Sequence, residues 1–93
     1  MRLEVEPELA DEVERYMRGQ HIPDIWATGC FRAIRFQRAG PTTFRTSYEA
    51  AASSDLARYL ENHAAALRAD FETHFQTGVA VSRSVWSGVA SWG

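Results

Sequence analysis

The three histidines, at positions 21, 63 and 74, are the side chains of this chain that change charge near neutral pH, so they bound the acid–base chemistry on offer. His21 lies in the run Gln20-His21-Ile22-Pro23-Asp24-Ile25-Trp26-Ala27-Thr28-Gly29-Cys30-Phe31. It reads either as a group bonded to backbone carbonyls at a helix end or as a general base at the mouth of a pocket. His63 stands seven residues after Leu56 and four before Leu67, on or beside an apolar helical stripe. A buried imidazole must satisfy both ring nitrogens, so a bonded core histidine and a pocket base are equal alternatives there. His74 is eleven residues beyond His63, roughly 16 Å along a helix, too far for the two to share a metal. His21, His63 and a carboxylate lack the i, i+4 spacing of a metal motif, and no metal site is expected.

Arg83 shares strand parity with Val79, Val81 and Val85, so a cation interrupts an apolar face. It needs an anion there, either a nearby glutamate or the carboxylate or enolate of a ligand. Trp26, Phe31, Phe36, Phe44, Tyr48 and Phe71 are first of all core aromatics. Where helices leave the space above a sheet unfilled, the same rings would wall an apolar cavity with polar tips from Tyr48, His63 and Arg83, the usual make-up of a small-molecule site. The candidate set is therefore His63 and His21 for catalysis, with Trp26, Tyr48, Arg83, Phe31 and Phe44 for ligand contact. Cys30, the single cysteine, has no fixed cationic neighbour and reads as a small buried hydrophobe. No glycine-rich phosphate loop, nucleophile elbow or paired-carboxylate signal is present, and no cofactor is expected.

These residues must be positioned by a short series of elements. Residues 3–5 read as a strand, and Pro7 opens a helix to about Arg18, with Leu9, Val13, Tyr16 and Met17 in one stripe and Gly19 as its stop. Pro23 bends the chain, and residues 24–27 make a short helical turn that tucks Ile22, Ile25 and Trp26 inward. Strands are expected over 30–38 and 42–50, joined at Ala39-Gly40-Pro41. Ser53 or Ser54 caps a second helix whose apolar face is Leu56, Leu60, Ala64, Leu67 and Phe71, continued to Phe75. Gly78 ends it, a last strand spans 79–86, and 87–93 is a tail in which Trp92 suggests packing. The order strand, helix, strand, strand, helix, strand predicts an α+β fold of ferredoxin-like type: a four-stranded antiparallel sheet with two helices on one face.

At 93 residues this is one domain, 1–93, with 45% apolar residues and a net charge of −2. Every cation is arginine, yet no basic patch forms, which argues against nucleic acid. No apolar run approaches membrane-spanning length and the first residues do not form a signal sequence, so a cytoplasmic protein that engages no membrane is expected. Phe31 and Ala33 on one side of the second strand and Ile34 and Phe36 on the other place apolar groups on both sheet faces. A second sheet covering the open face in a homodimer would account for that.

His21-Ile22-Pro23 followed by Ala27-Thr28-Gly29-Cys30-Phe31, then Tyr59-Leu60, Asn62-His63-Ala64 and Leu67-Arg68-Ala69, resembles the domain-of-unknown-function family 4286 over roughly residues 8–86. The resemblance implies a dimeric α+β barrel, in which two ferredoxin-like sheets face each other with the helices outside. That superfamily includes cofactor-free monooxygenases, cyclases, isomerases and ligand-binding domains. The fold supplies a range of functions and does not choose among them. Two expectations follow: a cofactor-independent enzyme acting on a small apolar carbonyl or acidic molecule, or a non-catalytic ligand-binding or structural homodimer.

Overall fold

The computed structural model describes residues 1–88 and 90. Strand β1 (Arg2–Val5) leads through a single 3₁₀ turn (Pro7–Leu9) into α1 (Ala10–Tyr16). Helix α2 (Ile22–Ala27) follows, then the strands β2 (Ala33–Ala39) and β3 (Thr43–Glu49), the helices α3 (Ser53–Asn62) and α4 (Ala64–His74), and strand β4 (Val79–Ser82). The sheet order is β2-β3-β1-β4 and every pairing is antiparallel. This is the ferredoxin-like arrangement expected from the element order, with β1 central because α1 and α3–α4 are the two crossovers.

The first helical region departs from expectation. Gly19 does not stop it; Met17–His21 forms a π-helical turn that continues into α2 without a break. Pro23 lies in the first turn of α2. A proline has no N–H for the carbonyl one turn back and its ring crowds that carbonyl, and a widened turn just before it relieves both problems. The π turn also rotates the chain so that His21 faces inward while Trp26, expected inside, is 53% exposed.

The second helical region is divided. His63 adopts φ −128° and ψ −36°, which ends α3 and starts α4. No serine side chain caps α3; its N-cap is Ala52. The apolar residues of the two helices serve both clusters, and Leu67 of α4 stays with Leu56 and Tyr59 of α3. Leu56 and Tyr59 pack with Ile25, Cys30 and Phe31, whereas Phe71 and Phe75 pack with Leu3, Val13, Met17 and Phe44. Leu60, expected on the buried stripe, is left 46% exposed.

The core thus consists of two apolar clusters over one sheet face. Phe44 stacks on Phe36 at 5.5 Å between ring centres, and Arg38 lays its guanidinium over the Phe44 ring at 5.0 Å while reaching Asp11 and Glu14 at 3.5 Å. An arginine stem on an apolar rim with its head in solvent is favourable because only the methylenes are dehydrated. The other face carries Arg35, Gln37, Thr43, Arg45 and Ser47 from the paired strands β2 and β3. Phe31 is not on a strand; it lies in the loop before β2 and fills the second cluster. The open face is therefore polar, and the two-sided apolar pattern that motivated the homodimer is absent from it.

Strand β4 stops at Ser82, short of the expected Trp86. Its only partner is β1, and Arg2 already pairs with Ser82 at the end of the register. Beyond that pair only Met1 lies opposite, facing Arg83, and the ladder ends. The tail expectation at Trp92 lies outside the described residues.

Candidate functional site

Among the described residues three buried polar side-chain atoms have no protein hydrogen-bond partner: His21 Nδ1, Thr46 Oγ1 and the Tyr48 hydroxyl. Thr46 and Tyr48 are two residues apart on the helix-facing side of β3, and Phe44 precedes them on the same side. Phe44 belongs to the first apolar cluster and Tyr48 packs against the second, so Thr46 marks the line between them on the sheet. His21 does so from above: its ring lies 5.4 Å from Phe71 and 5.7 Å from Tyr16, and Ile25 of the second cluster is one turn on. A polar seam separates the two halves of the core. A buried polar group left without any partner costs about 1–3 kcal/mol, so each of these atoms favours a ligand or water that can bond to it.

Electrostatics tie Arg83 to this seam. Its charge acts on His21, Tyr48 and Tyr59 together, and its own affinity for a proton is lowered by burial and by the neighbouring Arg68. Glu72 lies close enough to act in the opposite direction. Among the described residues neither Arg68 nor Arg83 has a carboxylate within ion-pair distance. Two adjacent arginines without a bridging anion repel each other, and a carboxylate or phosphate between them relieves the repulsion. Arg83 stands at one end of an open groove of about 490 Å³ whose apolar floor is Phe71, Phe75, Val79 and Val81, with Glu72 and Gln76 on its rim.

Burial lowers the basicity of His21, partly offset by Asp70 and Asp24, so its ring is neutral at pH 7. A neutral imidazole with a free Nδ1 can accept a proton or a hydrogen bond. Burial pushes the Tyr48 hydroxyl up to about 12, against the pull of Thr46 and Arg83. It is a donor at any physiological pH. Thr46 and Tyr48 lie near each other but close no hydrogen bond of normal geometry, which leaves both hydroxyls open to a third group.

The expected residues are distributed unevenly around this seam. His21, Tyr48 and Arg83 come together electrostatically. Phe44 and Phe31 are fully packed in the two clusters and wall no open space. Trp26 lies on the opposite edge, in a separate groove of about 400 Å³ lined also by Ile22, Ala33, Ile34 and Arg35. His63 sits at the α3–α4 break, where its ring faces Tyr59 at 6.3 Å, whereas the aromatic neighbours of His21 are Tyr16 and Phe71. The pairing of His21 with His63 is thus not formed.

A polar cluster absent from the sequence reading stands beside His21. The Tyr16 hydroxyl donates to Asp70 Oδ2 at 2.5 Å, Gln20 Nε2 donates to the same oxygen at 3.2 Å, and the His74 ring lies 4.3 Å from that of Tyr16. His74 is bonded back to the Asp70 carbonyl at 2.9 Å. The i, i+4 spacings of Tyr16 with Gln20 and of Asp70 with His74 were the available signal. Nothing in either spacing alone relates one helix to the other. Among the described residues no group of three metal-ligating side chains comes together, and no helix is long and apolar enough to cross a membrane.

A family model described as a domain of unknown function (DUF4286) matches residues 1–89. No curated protein and no solved structure matches the chain.

Proposed function

The chain belongs to the domain-of-unknown-function family DUF4286, and we propose that it acts in the cytoplasm as a homodimer that binds a small, largely apolar acid or carbonyl compound and transforms it without a cofactor. The observation that carries this reading is the polar seam: among the described residues His21 Nδ1, Thr46 Oγ1 and the Tyr48 hydroxyl lack protein partners, and Arg83, which acts on His21 and Tyr48, has Arg68 for a neighbour. Ligand oxygens bridge the arginines, and the apolar body of the ligand lies on Phe71, Phe75, Val79 and Val81. For a carbonyl substrate the chemistry is proton transfer. Neutral His21 takes a proton from the carbon beside the carbonyl, and the enolate oxygen that develops is held by Arg83 and the Tyr48 hydroxyl.

A second reading, a binding or structural module without catalysis, is favoured by the packing of Phe31 and Phe44 and by the depth of His21, which is only 4% exposed. A thermal-shift screen of aryl and alkyl carboxylates and 1,3-dicarbonyl compounds addresses both. The expected result is a rise in melting temperature with at least one class, abolished in Arg83→Gln, and loss of the α-proton of a bound dicarbonyl into D₂O with the native protein but not with His21→Phe. Stabilisation without exchange selects the binding module. Stabilisation that survives Arg83→Gln contradicts the site.

A further inference from the structure

We infer that residues 83–88 are a strand that completes itself on a second copy of this chain, by adding to the free edge of β2 beside Trp26. The inference rests on the homodimer proposed above and specifies what joins the two copies.

The sheet order leaves two edges, β2 and β4. Ladder pairing along β4 ends at Ser82, which faces Arg2, the first residue of β1. The sequence pattern does not end there. Val79, Val81, Arg83 and Val85 continue one parity and Ala80, Ser82, Ser84 and Trp86 the other. Val85 is 71% and Trp86 87% exposed, and the Trp86 indole N–H donates only to Ser84 Oγ, at 2.8 Å. Two large apolar side chains on a segment of strand pattern, with unpaired backbone, are the composition of an added strand.

The acceptor has the complementary vacancy. Among the described residues β2 is paired with β3 alone, which leaves its outer N–H and C=O groups over Ala33–Ala39 without a strand partner. Its helix-side residues Ile34 and Phe36 are only partly covered, and beside them lies the groove of Ile22, Trp26, Ala33, Ile34 and Arg35. Parity fits as well. Val85 falls on the helix-facing side of its own sheet, as Ile34 does, and Trp86 on the open side, as Arg35 does. In a strand added with faces matched, Val85 enters the groove against Ile34 and Trp26, and the Trp86 ring meets the Arg35 guanidinium, a cation–π pair. The exchange is reciprocal under two-fold symmetry and removes the exposed edge of β2 from both copies.

The test is the molar mass in solution at micromolar concentration of the full chain, of a chain ending at Ser84, and of the full-length double variant Val85→Asp with Trp86→Asp. Both changes spare Arg83, the double variant alters only the exposed Val85 and Trp86, and circular dichroism checks that the fold is kept. The expected result is a dimer for the full chain, association weakened at least tenfold in both variants, and a red shift of Trp26 emission in the truncated chain. Variants that keep the full-length dissociation constant overturn the strand exchange and leave the homodimer standing. A monomeric full chain overturns both.

Discussion

At the scale of single residues the decisive group is His21. It is polar, 4% exposed, and its Nδ1 is unbonded. Because burial holds its folded pKa below the ordinary value of about 6.5, the unfolded chain takes up this proton first as the pH falls. The stability that the neutral ring contributes is fully present above pH 6.5 or so and is lost as the pH drops below it. Melting temperature measured from pH 7.5 to 5.5 is therefore expected to fall more steeply in the native protein than in His21→Phe, whose ring suits a site between Tyr16 and Phe71. Equal slopes would place the titration elsewhere. The sequence marked His21 as the one unusual residue of its stretch without a packing duty, but it suggested His63 as its companion. The companions are Tyr16, Phe71 and the Asp70 cluster. Which residues of α4 meet α1 depends on the turn at His63, and no periodicity encodes that turn.

At the scale of elements the strands and their order were legible from alternation and turn chemistry, because a period of two and a glycine-proline turn are local properties. The helices were legible as regions, but their interruptions were not. Gly19 illustrates the reason: as a sequence symbol it means a stop, yet here it lies inside a π turn with φ not positive and no atom within 4 Å of the position a Cβ would take. Gly78 is the opposite case. Its φ is +80°, a Cβ there would come within 2.6 Å of Leu9 Cδ1, and its carbonyl accepts the Glu6 N–H at 2.9 Å. Alanine at the two positions should act with opposite sign. Gly19→Ala is expected to stabilise by about 0.5–1 kcal/mol. Gly78→Ala is expected to cost about 1–2 kcal/mol from the left-handed backbone alone, with the Leu9 contact adding to it. Urea denaturation of the two variants checks the pair, and a Gly78→Ala protein as stable as the native one would refute the strained-turn account.

At the scale of the whole molecule, two apolar clusters share one sheet, and the line between them carries the polar groups that neither cluster satisfies. The division crosses α4: Leu67 packs with Leu56 and Tyr59 of α3 on one half, and Phe71 and Phe75 pack on the other. Arg83 reaches the seam because β4 ends one residue before it, a consequence of the short β1. The sequence reading put Arg83, Tyr48 and His21 among its candidates but assigned Arg83 to the interior of a strand, whereas β4 ends at Ser82. Just past the strand's end it lines the open groove with Phe71, Phe75, Val79 and Val81. The claim that an organic anion sits between Arg83 and the seam is tested most directly by the imidazole ¹⁵N signals of the three histidines during titration with 3-phenylpropanoate. The account predicts a saturable shift of the His21 signals that is lost in Arg83→Gln, with His63 unmoved. Titration that leaves His21 unchanged, or shifts it equally in Arg83→Gln, would contradict it.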